Sequence, residues 1–459
     1  MLRIITLSIA TVTLSLLTSA ASCQEPPKPT LTISLDPTFG KGGMIAEHSL
    51  PAAPKHDRFL ALAIDGRGRP VAAGKSSGLR FALARYATDG RPDAAFADNG
   101  KASVTVEDQA TVDAVGTSEV DSPYDMSIDA KGRVVVVGKA VAADSNRKTD
   151  FVVLRFDDSG RLDKTFSGLG HRKYPAHDWP NVANAVATAA DGGILVAGYA
   201  QADERSRQID PLLIRFRDDG AVDETFSAAA NGSLRWLVKD AAPAAVSGVV
   251  LDQQGRCVVS LSIQHDRQSI WGVARLKNNG ELDDSFGDAG LWSAALDEKA
   301  VSEVACSVAV DETGRIVAGG YSQDENDFRR LAVVRLTNAG KSDPTFGAQK
   351  NGVVVLADYG ATVTHRFGPR LAVAQGKIAI TGSLDAASGN SRVFGLAVLN
   401  DSGTQIAKAA PKAFPGSKGN DQPWGIAFDP QGRVLIAGTS QAPNGKWRFA
   451  LARYIISPK

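Results

Sequence analysis

With 459 residues, 43% of them apolar, the chain is long enough for two or three ordinary domains or for one closed repeat array with a continuous core. Its 51 basic and 50 acidic side chains nearly cancel, and it lacks the basic stripe that phosphate neutralisation requires, which excludes nucleic acid as a partner. Its 45 glycines and only 7% aromatic residues suit short strands joined by tight turns rather than helices.

The N-terminus reads as an export signal: Arg3, an apolar run over 4–17, then Ser19, Ala20, Ala21 and Ser22 before Cys23. Two cleavage readings stand. Ala20 or Ser22 offers an ordinary signal-peptidase site. Alternatively, Ala20-Ala21-Ser22-Cys23 resembles the lipobox of bacterial lipoproteins, with Ala20 where that pattern usually has Leu; Cys23 would then be acylated. Either way the chain is expected to be exported, as an outer-membrane lipoprotein or to the periplasm or exterior, touching a membrane only through a lipid anchor. The proline-rich stretch 24–29 is a semi-rigid tether. The predicted organisation is a signal over 1–22, a tether over 23–31 and one domain over 32–459.

That domain repeats one phrase seven times. Strand-like runs close on Asp-x-x-Gly-Arg at Asp65, Asp129, Asp252, Asp311 and Asp429, with degenerate copies at Asp191-Gly192-Gly193 and around Gly376. In the first unit, 60–64 is a strand and 65–69 turns the chain back; 70–74 and 81–86 are strands, 89–96 a longer turn, and 101–106 a fourth strand. A four-stranded antiparallel meander repeated about every 60 residues is a β-propeller blade. The repeats fall at about 58–107, 120–176, 181–239, 245–297, 302–357, 366–412 and 423–456. Residues two and four before the turn Asp are mostly small, as convergence on a propeller axis demands.

The seventh repeat lacks a fourth strand, while a surplus Asp36-x-x-Phe39 followed by a strand-like run stands unmatched near the N-terminus. Segment 33–50 is therefore expected to close the ring, giving an all-β, seven-bladed propeller of four-stranded blades that is a monomer.

Asp-x-x-Phe occurs six times, in five of them with the Asp eight residues after an Arg: Arg85 with Asp93, Arg155 with Asp163, Arg215 with Asp223, Arg275 with Asp283 and Arg335 with Asp343; the sixth, Asp36, is expected to meet Arg453 across the closure. In the sixth repeat Val398, Ile406 and Ala409 replace Arg, Asp and Phe together. Loss as a set marks structural pairs rather than calcium ligands, because removing one partner strands a buried charge. The phrases Phe81-Ala82-Leu83-Ala84-Arg85-Tyr86, Gly280 to Gly287 and Asp311 to Gly319 resemble the bacterial delta-sixty repeat of exported propeller-like proteins, over Leu35 to Tyr454. The resemblance implies fold and export and supplies no catalytic residue.

Function is expected on the face opposite the repeated turns, on variable loops at 115–124, 140–150, 201–210, 264–268 and 323–327. An acid recurs eight residues before the turn Asp, at Asp57, Asp121, Glu303 and Asp421, with Ala183, Ala244 and Arg366 in the other repeats. Tyr124, Trp424 and the His177-Asp178-Trp179 cluster accompany them. These are the ligand-binding candidates; as a ring they would suit a divalent cation at the channel mouth, and the bland reading is that they satisfy turn amides. No catalytic residue and no cofactor beyond that cation is expected. The leading function is a non-catalytic envelope or secreted propeller presenting its loop face to an envelope protein or glycan; the alternative is a metal-dependent hydrolase or lyase with an acid-lined central site. Cys257 and Cys306 lie in strand-like runs, and whether they pair stays open.

Overall fold

The computed structural model describes residues 31–458 apart from 49–56, 77–79, 107–121, 142–148, 175–180, 202–208, 227–232, 236–241, 266–267, 298, 361–367, 386–391 and 411. The chain is a seven-bladed β-propeller. Each blade is an antiparallel meander: in blade 1, for example, Arg58–Ile64, Pro70–Ser76, Arg80–Arg85 and Lys101–Val104 pair in sequence order. The innermost strands, Arg58–Ile64, Ser122–Ile128, Asn181–Thr188, Ala242–Leu251, Ser302–Val310, Arg370–Ala374 and Asp421–Phe428, pack side by side in order, and the seventh meets the first. The core lies between blades rather than within them. One cluster joins Val71, Leu83 and Phe96 of blade 1 to Val136 and Leu154 of blade 2, and others span the remaining seams. Each fully buried side chain of this size stabilises by about 1.5–3 kcal/mol.

Ring closure uses two N-terminal strands. Met44–Glu47 pairs with the last strand, Trp447–Pro458, as the missing outer strand, and Leu31–Leu35 pairs with its far end, Leu35 opposite Tyr454 and Leu31 opposite Pro458. The second pairing has a simple origin. In blade 1 the pair Tyr86 and Pro92 closes a tight turn; Tyr454 and Leu35 occupy the equivalent places. The two closing segments thus meet where an ordinary blade has that turn, with both arms lengthened. The N-terminal arm also bridges the neighbouring blade, Ile33 beside Ala409.

A recurrent irregularity shapes the inner strands. Register shifts fall between Phe59 and Ala61, Pro123 and Asp125, Ala183 and Ala185, Val246 and Gly248, Ala305 and Ser307, and Pro423 and Gly425. The extra residue of each bulge is Leu60, Tyr124, Asn184, Ser247, Cys306 or Trp424, always five before the first residue of the turn. The bulge presses a carbonyl onto the second strand, and there the repeat carries Gly74, Gly138, Gly198, Gly320 and Gly438. A Cβ at these glycines would lie 1.9–2.1 Å from the oxygens of Arg58, Ser122, Val182, Val304 and Gln422. The glycine is therefore a steric requirement in these five blades, whereas blade 4, whose inner strand carries a second register shift between Ala242 and Ala244, has Leu261 at the equivalent place.

Blade 3 corrects the sequence register. Its turn opens at Ala189, whose N–H donates to Gly193 as that of Asp65 does to Arg69, so Ala189 and Gly193, not Asp191, hold the Asp and Arg positions. The residue equivalent to Asp57 and Asp421 is then the buried Asn181 rather than Ala183. Cys257 and Cys306, on blades 4 and 5, are separate buried thiols.

Candidate functional site

Opposite faces of the disc use their polar groups differently. On the face of repeated turns, each Asp of Asp-x-x-Gly-Arg accepts two turn amides: Asp65 Oδ1 takes Arg67 and Arg69 N–H at 2.9 Å, while Arg69 Nε reaches Oδ2 at 2.7 Å. The third-strand arginine then locks one blade to the next. Arg85 Nε donates to Asp93 at 2.8 Å, its Nη1 to the Asp158 carbonyl of blade 2 at 2.7 Å, and its guanidinium lies 4.4 Å from the Phe96 ring. Arg155 repeats this with Asp163, the Asp218 carbonyl and Phe166. Arg275 uses Asp283, Asn338 and Phe286; Arg335 uses Asp343, Asp401 and Phe346. Arg453 joins Asp36, Phe39 and the Thr88 carbonyl, three segments remote in sequence.

Both oxygens of Asp36 are taken by protein donors, Oδ1 by the Thr38 amide and hydroxyl and Oδ2 by Arg453 and Arg433. Burial pushes its carboxyl upward, but the Thr38 bonds and the Arg453 charge prevail and hold it below the ordinary range. The phenylalanine plugs the gap beneath. A Cβ on Gly160 of the next blade would lie 2.8 Å from the Phe96 ring.

On the loop face, the recurring acids face their own blade's entry. Glu303 is fully buried and accepts the Leu296 and Asp297 amides at 2.8 and 3.0 Å, from the loop leading into blade 5. Asp421, equally buried, accepts the Phe414 amide at 3.1 Å and the Ser417 hydroxyl at 2.6 Å. Burial raises both carboxyls above their usual range, more than these bonds lower them. Asp57 is buried with His48 Nδ1 3.4 Å away. Tyr124 packs with Val182 and Tyr199. Asp121, His177, Asp178 and Trp179 lie outside the described residues, as does Cys23.

Of the named candidates among the described residues, Trp424 alone borders the central cavity, a space of about 140 Å³, and its Nε1 donates to the Thr439 hydroxyl at 3.3 Å. The cavity wall is built from the residues four before each turn's first position: Ala61, Asp125, Gly248, Ser307, Arg370 and Gly425. Four are small. Asp125 of blade 2 and Arg370 of blade 6 break the row with opposite charges in a narrow channel. Asp125 accepts the Val186 amide at 3.0 Å, and Arg370 Nη1 donates to the Cys306 carbonyl at 3.1 Å. Burial holds the Asp125 carboxyl above its ordinary range against the opposing pull of Arg370. This arrangement offers a hydrogen-bonding anion and a cation to a small polar group entering the channel. The signal was present in the sequence: Asp125 is the charged departure from a row of small residues.

Three segments, 68–96, 189–226 and 312–346, match the model of a family described as a β-propeller domain of unknown function (DUF5122), and each match ends on the phenylalanine of Asp-x-x-Phe. No curated protein matches the chain. Among solved structures, the polysaccharide lyase Uly1 is similar over 91% of each chain at 10% identity, with a TM-score of 0.53, which speaks for the propeller architecture alone. A protein of unknown function from Dyadobacter fermentans aligns over 92% of this chain and 100% of its own, at 13% identity and TM-score 0.46.

Proposed function

We propose that this chain is a non-catalytic, exported propeller of the delta-sixty repeat kind, whose loop face binds an envelope protein or glycan. The observation that carries the reading is an asymmetry of the two ends of the blades. The first-to-second turns occupy 65–69, 129–133, 189–193, 252–256, 311–315 and 429–433, five residues in six of the seven blades, whereas the opposite second-to-third loops run from 266–267 to 142–148. A scaffold held constant on one face and varied on the other is how repeat proteins build recognition surfaces. In this reading the signal is removed, Cys23 carries the anchor, and the single-chain ring stands clear on its tether.

The test is binding of the purified ring to envelope fractions and a glycan panel, beside a variant whose loops 142–148 and 202–208 are cut to two-residue hairpins. Binding that disappears in the trimmed ring, with an unchanged melting temperature, supports the reading. Binding that survives trimming overturns it. One observation favours the hydrolase or lyase alternative: the Asp125 and Arg370 pair in the channel, together with the fold shared with a polysaccharide lyase. Cleavage of a panel glycan that is lost in Asp125→Asn, with or without added divalent cation, would replace the scaffold reading with that one.

A further inference from the structure

The seam between blades 3 and 4 is the one described turn-face seam where a third-strand arginine leaves its lock. Arg215 Nε stays 3.2 Å from Asp223, but Nη2 turns back to Asp191 of its own blade. Its side chain is 22% exposed, against 1–4% for Arg85, Arg155, Arg275, Arg335 and Arg453. The cause lies in the degenerate turn. Gly193 stands where other turns carry the arginine that fills this space, and the facing residue of blade 4, Asn278, donates to Gln254 instead.

The omission leaves a cavity of about 250 Å³. Leu195, Phe226 and Cys257 form apolar wall, while Arg215, Lys277 and Asp191 stand at its polar rim. The size is just under the roughly 300 Å³ at which drug-sized sites begin, so it suits a single ring or a short chain.

We propose that this cavity is a binding site for a small organic carboxylate with an apolar body, such as an aromatic acid. The ring lies on Leu195, Phe226 and Cys257, and the carboxylate takes the Arg215 fork now held by Asp191, with Lys277 beside it. Asp191 is 63% exposed and moves out to water, so one carboxylate replaces another at the guanidinium. The site is on the turn face and is independent of the loop-face reading.

Benzoate is the probe, titrated calorimetrically into the full exported chain, with benzyl alcohol as the uncharged analogue. The expected result is saturable benzoate binding, with benzyl alcohol weaker by about 10- to 100-fold, the worth of a charge-assisted bond. The pair A189D/G193R rebuilds the turn lock; a Cβ at Gly193 meets only the yielding Asp191 and Arg215 side chains, at 2.9 and 3.1 Å. That variant is expected to melt higher and to lose benzoate. Lys277→Gln, a rim change at a 44% exposed residue, keeps the test alive should the pair misfold, and is expected to weaken benzoate while leaving the melting temperature unchanged. Equal affinity for benzoate and benzyl alcohol, no saturable binding, or undiminished binding in both variants overturns the proposal.

Discussion

The two seams flanking the last blade are built from opposite materials. Where blade 7 meets blade 1, Arg453, Asp36 and the Thr88 carbonyl form a buried lock, Glu47 accepts the Tyr86 hydroxyl at 2.7 Å with Lys101 at 3.2 Å, and Phe59 stacks on Phe449 at 3.9 Å. Where blade 6 meets blade 7, Val398, Ile406 and Ala409 hold the lock positions, Phe394 meets Phe414 edge-on at 4.8 Å, and Ile33 of the N-terminal arm joins the same cluster. Between blades 6 and 7 non-directional apolar packing takes the place of the lock. Blades 7 and 1 are held by the N-terminal strands, and a one-residue slip would turn every side chain of those strands to the wrong face. Directional bonds from Arg453 fix that register.

The largest effect follows from breaking the lock. Arg453→Ala leaves Asp36, 2% exposed, without its main partner, and should cost about 3–5 kcal/mol in denaturant unfolding. Arg91→Ala, at an 83% exposed arginine paired with Asp89, should leave the midpoint in place. Equal midpoints for the two variants would mean that the lock does not hold the ring.

At the apolar seam the sensitive point is steric. Gly438→Ala would bring a Cβ to 2.1 Å from the Gln422 oxygen and 2.7 Å from the Phe394 ring, and should cost about 1–3 kcal/mol. Gly66→Ala, with no atom within 4 Å, is the control and should be close to neutral. A harmless Gly438→Ala would show that the bulge yields.

The comparison sharpens if one seam is rebuilt as the other. Arg453→Met with Asp36→Leu imitates the apolar solution of blade 6. It should recover more than half of the loss caused by Arg453→Ala, because no buried charge is stranded. A double variant as unstable as the single would mean that directionality itself, not the stranded Asp36, carries the effect.

The repeat made the fold legible, and its interruptions made the closure legible: a missing fourth strand and a surplus Asp36-x-x-Phe39 identify one another without coordinates. The second closing strand, Leu31–Leu35, was not legible, because it follows from the two closing segments meeting where a turn would be and from the last strand running on to Pro458. The bulges were hidden for another reason. Alternation of large and small residues fixes which face a side chain takes but not where an extra residue enters, although the recurring second-strand glycine was its trace. The acids before the inner strands show the limit for the candidate site. Spacing gave Glu303 and Asp421 a common place, but their direction depends on amides of the entering loop, such as Leu296 and Phe414, that no periodicity positions.

The smallest effect separates the locked seams by charge. Burial raises the Asp218 carboxyl, but bonds from Lys131 and Arg133 and the nearby Arg155 outweigh it and hold the group down at about 2, against 3.8 ordinarily. A folded-state value below the unfolded one contributes stability that is present above pH 3.8 and lost as pH falls towards about 2. Asp218→Asn removes that contribution and keeps the backbone carbonyl that Arg155 uses; Asn338 already stands at the equivalent place beside Arg275 and accepts from it at 2.8 Å. The variant should therefore fold normally, be slightly less stable than the parent at neutral pH, and converge with it in acid, because Asp218 is 38% exposed and well screened. Melting curves from pH 7 down to about pH 2 read the difference directly. A gap between parent and variant that persists unchanged into acid would show that the Asp218 charge contributes nothing, and that its lock rests on the backbone carbonyl alone.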